Sequence, residues 1–150
     1  AIFFARGVLE TVKKLRWAPD IIHCQGWISQ VLPVYLKKCY KDDPIFSGSK
    51  VILSLYNDSK KESMGANFQN SILFGGLTPE DVPLLAEPDG INLAKTAARY
   101  SDGIILGAPD VDESIVSYCK ELGLPVLPYN EESLRNGSYV DEYDSFYDKL

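Results

Sequence analysis

The sequence predicts an α/β fold of three layers around a mostly parallel sheet, and three observations carry that prediction. Four short runs, at 20–24, 50–56, 103–107 and 125–127, are apolar on both faces, as central strands of a parallel sheet are. Between them lie longer segments whose apolar residues recur at helical spacing. Glycine, proline and aspartate punctuate the junctions. Helices alternating with strands imply parallel pairing, with helices on both faces of the sheet.

The elements follow in order. Residues 2–15 place Ile2, Ala5, Val8, Leu9, Val12 and Leu15 at helical spacing, with Lys13 and Lys14 off that stripe. Pro19 ends the connection that follows, and Ile21-Ile22-His23-Cys24 is the first strand. Gly26 permits a sharp turn into a helix carrying Ile28, Val31, Leu32, Tyr35, Leu36 and Cys39, which Asp42-Asp43-Pro44 stops. Pro33 lies early in that helix, where a missing N–H costs least.

Residues 50–56 form the second strand, and 57–90 are irregular. Phe68, Ile72 and Leu73 suggest one short helix there, ended by Gly75-Gly76. An Ala-rich helix at 91–100 leads to the third strand. Asp110, with Glu113 three residues on, reads as the N-cap of the next helix, which Gly123 ends before the fourth strand. Residues 139–150 form a C-terminal helix striped by Val140, Tyr143, Phe146, Tyr147 and Leu150.

With 150 residues, 24% of them charged and 45% hydrophobic, the chain suits one domain, 1–150. A chain of this length buries roughly 70% of its unfolded surface. The composition excludes a disordered tail, a collagen-like fibre and a disulfide scaffold. No apolar run approaches the ~20 residues of a membrane helix, so no membrane association is expected. The net charge of −6 is uneven: residues 1–75 hold ten Lys/Arg against six Asp/Glu, and residues 76–150 hold five against fifteen. The basic residues are scattered and lack interleaved aromatics, so nucleic acid is not an expected partner. The acidic stretch 131–148 reads as a solvated face.

Three cysteines, Cys24, Cys39 and Cys119, at wide spacing point to a reducing compartment, and the cytoplasm is the expected location. With a single histidine, no zinc site is expected. The chain starts as if inside a helix, which suggests that it begins part-way through a larger protein. The helix ending at Leu150 reads as a terminus that caps the domain.

Phosphate-binding glycine loops and activated-serine elbows are absent. What remains is Pro19-Asp20-Ile21-Ile22-His23-Cys24-Gln25-Gly26-Trp27, a strand running into a glycine turn. In such sheets ligands bind beyond the carboxyl ends of the strands, here the loops after Cys24 and after Tyr56. The imidazole, the amide and the indole suit a sugar, whose hydroxyls need two-way hydrogen-bond partners and whose C–H face packs on an aromatic ring. A core histidine satisfied by backbone, beside a buried tryptophan, fits the same spacing, and the residues alone leave both readings open.

This segment, followed by Pro33-Val34-Tyr35-Leu36, resembles the N-terminal domain of bacterial glycogen synthases and plant starch synthases (glycosyltransferase family 5). Their segment reads Pro-Asp-hydrophobic-hydrophobic-His-x-His-Asp-Trp, then Pro-x-Tyr-Leu. Two later blocks agree in order: Ser54-Leu55-Tyr56-Asn57, and Tyr100-Ser101-Asp102 through the third strand to Ala108-Pro109. The similarity covers roughly residues 1–125.

The resemblance implies half of a Rossmann-like domain of the GT-B type, from enzymes with two such domains around a cleft. They transfer glucose from ADP-glucose, or UDP-glucose in some relatives, to an α-1,4-glucan, with retention and without a metal or cofactor. Glucan and nucleotide-sugar are therefore the implied partners. His23, Gln25, Gly26, Trp27, Tyr56 and Asn57 fall on the substrate-binding positions, and no catalytic residue is assigned. Gln25, Gly26 and Tyr56 stand where the family has His, Asp and His, which removes imidazole and carboxylate groups. The family's N-terminal Lys-x-Gly-Gly loop and its donor-binding C-terminal domain are not in the sequence, so the isolated chain is expected to be inactive. A non-catalytic glucan-binding or regulatory module is the alternative. If the upstream strands are missing, strand 20–24 becomes a free edge, and self-association through it is expected.

Overall fold

The computed structural model describes residues 1–59 and 62–150. Four parallel strands form one sheet in the order β1 (Ile21–Gln25), β2 (Lys50–Leu55), β3 (Gly103–Leu106), β4 (Val126–Leu127). Helix α1 (Ile2–Lys14) precedes the sheet, α2 (Leu32–Lys38) joins β1 to β2, and α3 (Phe68–Ile72) and α4 (Gly90–Arg99) lie between β2 and β3. Helix α5 (Glu113–Glu121) leads to β4, followed by α6 (Glu131–Asn136) and α7 (Tyr139–Asp148). The alternation read from the sequence is the observed one.

The strand order decides how the sheet is covered. Each crossover joins neighbouring parallel strands in the same direction, and right-handed crossovers then deliver every connecting helix to one face. Val51, Leu53, Leu55 and Ile104 point to that face, into a core with Leu9, Leu36, Leu93 and Ile115. The other face presents Ile52 and Ile105 and is covered by α7, through Phe146 with Tyr143, Tyr147 and Leu150. Phe146 and Leu150 approach so closely that a Cβ on Gly103 would lie 3.0–3.1 Å from them. The acidic C-terminal segment is therefore two-sided: Asp141, Asp144 and Asp148 are exposed, and the aromatic stripe is the second cover of the sheet.

The irregular stretch packs rather than hangs free. Ile72, Leu77, Val82 and Leu85 are buried in the main core. The Lys38 ammonium lies 2.8 Å from Asp81 and, with the Thr78 N–H, holds that carboxyl down at about 2. Asp102 clamps three elements, since one carboxylate oxygen accepts from the Val51 N–H and the Lys37 ammonium, both at 2.7 Å.

Two local readings differ from the expectation. The N-cap of α5 is Asp112, which accepts from the Ser114 N–H; Asp110 lies in the preceding turn, two residues before that cap. Helix α6, capped by Asn130, was not expected; its short acidic sequence carries no apolar stripe long enough to register.

The outer edge of β1 has no partner strand among the described residues, and Ile21–Gln25 carries neither charge nor proline to guard it. Beside it, Trp17 lines a hollow with Ile21 and Ile22 and is 63% exposed.

Candidate functional site

Strand alternation sends successive residues of β1 to opposite faces, and this splits the predicted cluster. Cys24 points into the main core, where burial pushes its thiol up to about 12, so it is no nucleophile. His23 points to the α7 face. Its Nδ1 lies 2.7 Å from the Tyr147 hydroxyl and its Nε2 lies 2.6 Å from the Ser54 hydroxyl. The Tyr143 and Tyr147 rings stand edge-on to it, each with centroids 5.9 Å away. Burial pulls the imidazole below its ordinary 6.5. A neutral imidazole has one donor and one acceptor, and two hydroxyls satisfy both.

Past β1 the chain turns at Gly26, whose φ of 77° suits glycine rather than the aspartate of the family pattern. A single 3-10 turn follows, held by the Ser29 hydroxyl donating to the Gln25 and Gly26 carbonyls at 2.9 and 2.8 Å. This turn swings Trp27 out to 44% exposure on the face opposite α7. There the indole lines a cavity of about 140 Å3 with Asp58, Ser59, Glu62, Ser63, Met64, Gly90 and Leu93. The far wall is a loop folded back on α4: the Met64 N–H donates to the Pro88 carbonyl, Ser63 bridges Asp89, and Asp89 caps α4 through the Asn92 N–H at 2.7 Å.

The remaining predicted residues lie on the rim. Gln25 and Asn57 are exposed, and the Asn57 amide donates to Asp110 at 2.9 Å. The Tyr56 ring occupies the space over Gly107, where any Cβ would meet it at 2.3 Å. Of the six predicted residues, Trp27 lines the cavity; Gln25, Gly26, Tyr56 and Asn57 surround the strand ends; His23 is held beneath α7.

The sequence reading placed a candidate site in the loop after Tyr56 but named none of Asp58, Ser59, Glu62, Met64 or Leu93. A polar loop has no periodicity from which to pick them, and Leu93 reads as an ordinary core residue of α4. The cavity is smaller than the ~300–1,000 Å3 of drug-sized ligand sites, so it suits one small ring with polar groups around it. The Trp27 indole supplies an apolar face, and Asp58 and Glu62 supply acceptors. No helix among the described residues is long and apolar enough to cross a membrane.

The family described as starch synthase catalytic domain matches residues 1–125. The glycogen synthase of Chlorobium limicola is 37% identical over 103 residues, 67% of this chain and 20% of that protein. The glycogen synthase of Clostridium perfringens is 31% identical over 159 aligned residues, 99% of this chain and 32% of that protein. The glycogen synthase of Geotalea daltonii is 32% identical over 125 residues, 82% of this chain and 24% of that protein. The chain thus spans between a fifth and a third of the length of these curated relatives. No solved structure matches it.

Proposed function

Because the chain belongs to the starch synthase catalytic domain family, we propose that it holds the glucan for glucosyl transfer from ADP-glucose or UDP-glucose, with one glucose unit in the Trp27 cavity. The observation that carries this is the placement of that cavity: a half-exposed indole beside carboxylates, past the carboxyl ends of parallel strands, where open α/β sheets bind ligands. Among the described residues around it, the Trp27 indole offers an apolar face and Asp58 and Glu62 offer acceptors for sugar hydroxyls. A departing pyrophosphate needs cations or aimed dipoles, and in this reading those come from a donor-binding domain. The 150 residues alone then bind glucan without turning over nucleotide-sugar. Three free thiols favour the cytoplasm as the place of work.

A second reading, a non-catalytic glucan-binding module, is favoured by His23. Both of its ring nitrogens are engaged, by Tyr147 and Ser54, on the face away from the cavity. Titration separates the readings. Maltooligosaccharide is expected to perturb the Trp27 fluorescence, read in a Trp17→Phe background, and Trp27→Ala to weaken binding about tenfold. ADP-glucose binding by a protein that carries this chain beside a donor-binding domain supports the transferase, and glucan binding without it supports the module. Absence of saccharide binding by the chain overturns both.

The unguarded β1 edge also leads us to propose pairing with a second copy. Two β1 strands related by a twofold axis would run antiparallel and satisfy each other's free backbone groups, with the exposed Trp17 beside them. Light scattering that gives a monomer mass at high concentration overturns this.

A further inference from the structure

Helix α7 packs on the sheet face where His23, Ile52 and Gly103 lie on one rung of the register, with Tyr143 and Tyr147 beside His23 and Phe146 against Gly103. Tyr143 is also within electrostatic reach of Tyr56, the residue just past the end of β2. Tyr139, one turn before Tyr143, therefore lies toward the carboxyl rim of the sheet, on the face opposite Trp27. There the ring is 36% exposed and packs edge-to-face on Tyr143, with centroids 5.5 Å apart. Tyr143 in turn is wedged against His23, so Tyr139 is held by a stack that continues into the sheet. At the carboxyl ends of β1 and β2 the amides of Gln25 and Asn57 are exposed, the latter donating one N–H to Asp110.

We propose that Tyr139 is a second saccharide-stacking residue, which receives the glucan where it leaves the Trp27 cavity and crosses the strand ends. The proposal rests on the reading of that cavity as a saccharide site. It concerns a residue beyond the segment matched by the family, 1–125. The cavity accommodates one ring, so the further units of an α-1,4-glucan must lie on the rim. A pyranose C–H face carries partial positive charge and is attracted to the negative face of a tyrosine ring. The rim amides donate to and accept from the sugar hydroxyls. An aromatic ring held by packing loses little conformational entropy on binding. Two aromatic residues on opposite sides of one rim make affinity depend on glucan length.

Calorimetry of the full chain with maltose and with maltoheptaose tests this. Maltoheptaose is expected to bind more tightly than maltose. Tyr139→Ala should weaken maltoheptaose about two- to tenfold and leave maltose unchanged. Tyr139→Phe keeps the ring and should keep the long-chain affinity, whereas Tyr139→Leu keeps apolar bulk without a ring and should behave as Tyr139→Ala. The pair of bulky variants preserves the test if alanine loosens α7. Maltose binding by the wild type, with maltoheptaose indifferent to both Tyr139→Ala and Tyr139→Leu, overturns the Tyr139 role alone. A wild type that binds neither sugar overturns the Trp27 site as well.

Discussion

The Nδ1 atom of His23 lies 2.7 Å from the hydroxyl oxygen of Tyr147, a residue 124 positions later in the chain. This contact ties the aromatic cover to the edge strand and holds the single histidine half-buried beneath it. It gives stability a definite pH dependence. The folded imidazole titrates below 6.5, so the unfolded chain takes up the proton first. Stability from this group is complete above about pH 6.5 and is lost as pH falls from there through the lower folded value. Thermal melts between pH 7.5 and 5 should show a falling midpoint. Tyr147→Phe should cost about 1 kcal/mol at neutral pH by stranding a ring nitrogen. A melt that stays flat through this range in the wild type contradicts the burial of His23.

Gly107→Ala tests the seat of Tyr56. An added Cβ would lie 2.3 Å from the ring, so the ring must move, at a cost of about 1–3 kcal/mol. The cost should shrink in a Tyr56→Ala background. Denaturant titrations of the four proteins measure the coupling, and additive effects would show that the two residues do not meet.

Asp102 is expected to matter more than its ion pair with Lys37. Asp102→Ala strands the Val51 N–H at the head of a core strand and should cost about 2–3 kcal/mol. Lys37→Ala removes only a partly exposed ammonium and should cost under about 1 kcal/mol. Equal losses in chemical denaturation would mean that the ion pair, and not the backbone clamp, is the stabilising contact.

Arg16 follows α1 with a φ of 53°, in the left-handed region that disfavours side chains. Arg16→Gly should raise stability by about 0.5–1 kcal/mol, measured as a shift of the denaturation midpoint at unchanged slope. A destabilised variant would show that the arginine side chain contributes more than its backbone costs.

Periodicity sufficed for the strands and most helices, because a fully buried strand and an amphipathic helix each leave a local pattern. The segment from Pro19 to Trp27 was legible as a strand running into a glycine turn for the same reason, and Trp27 lines a cavity beside that turn. The cavity's other wall was not legible. Asp58, Ser59, Glu62 and Met64 belong to a loop whose shape depends on its contacts with Pro88 and Asp89.

By itself the sequence determined the α/β class, the order of elements and a polar–aromatic group at the end of the first strand. Only the tertiary structure decided which of those groups share a space. Alternation along a strand says that His23 and Cys24 face opposite ways, but not what waits on either side. That depends on the strand order, which sends the crossover helices to one face and leaves the other to α7. It is a long-range property, set by burial of Ile52 and Ile105 under Phe146, and no local pattern near His23 records it.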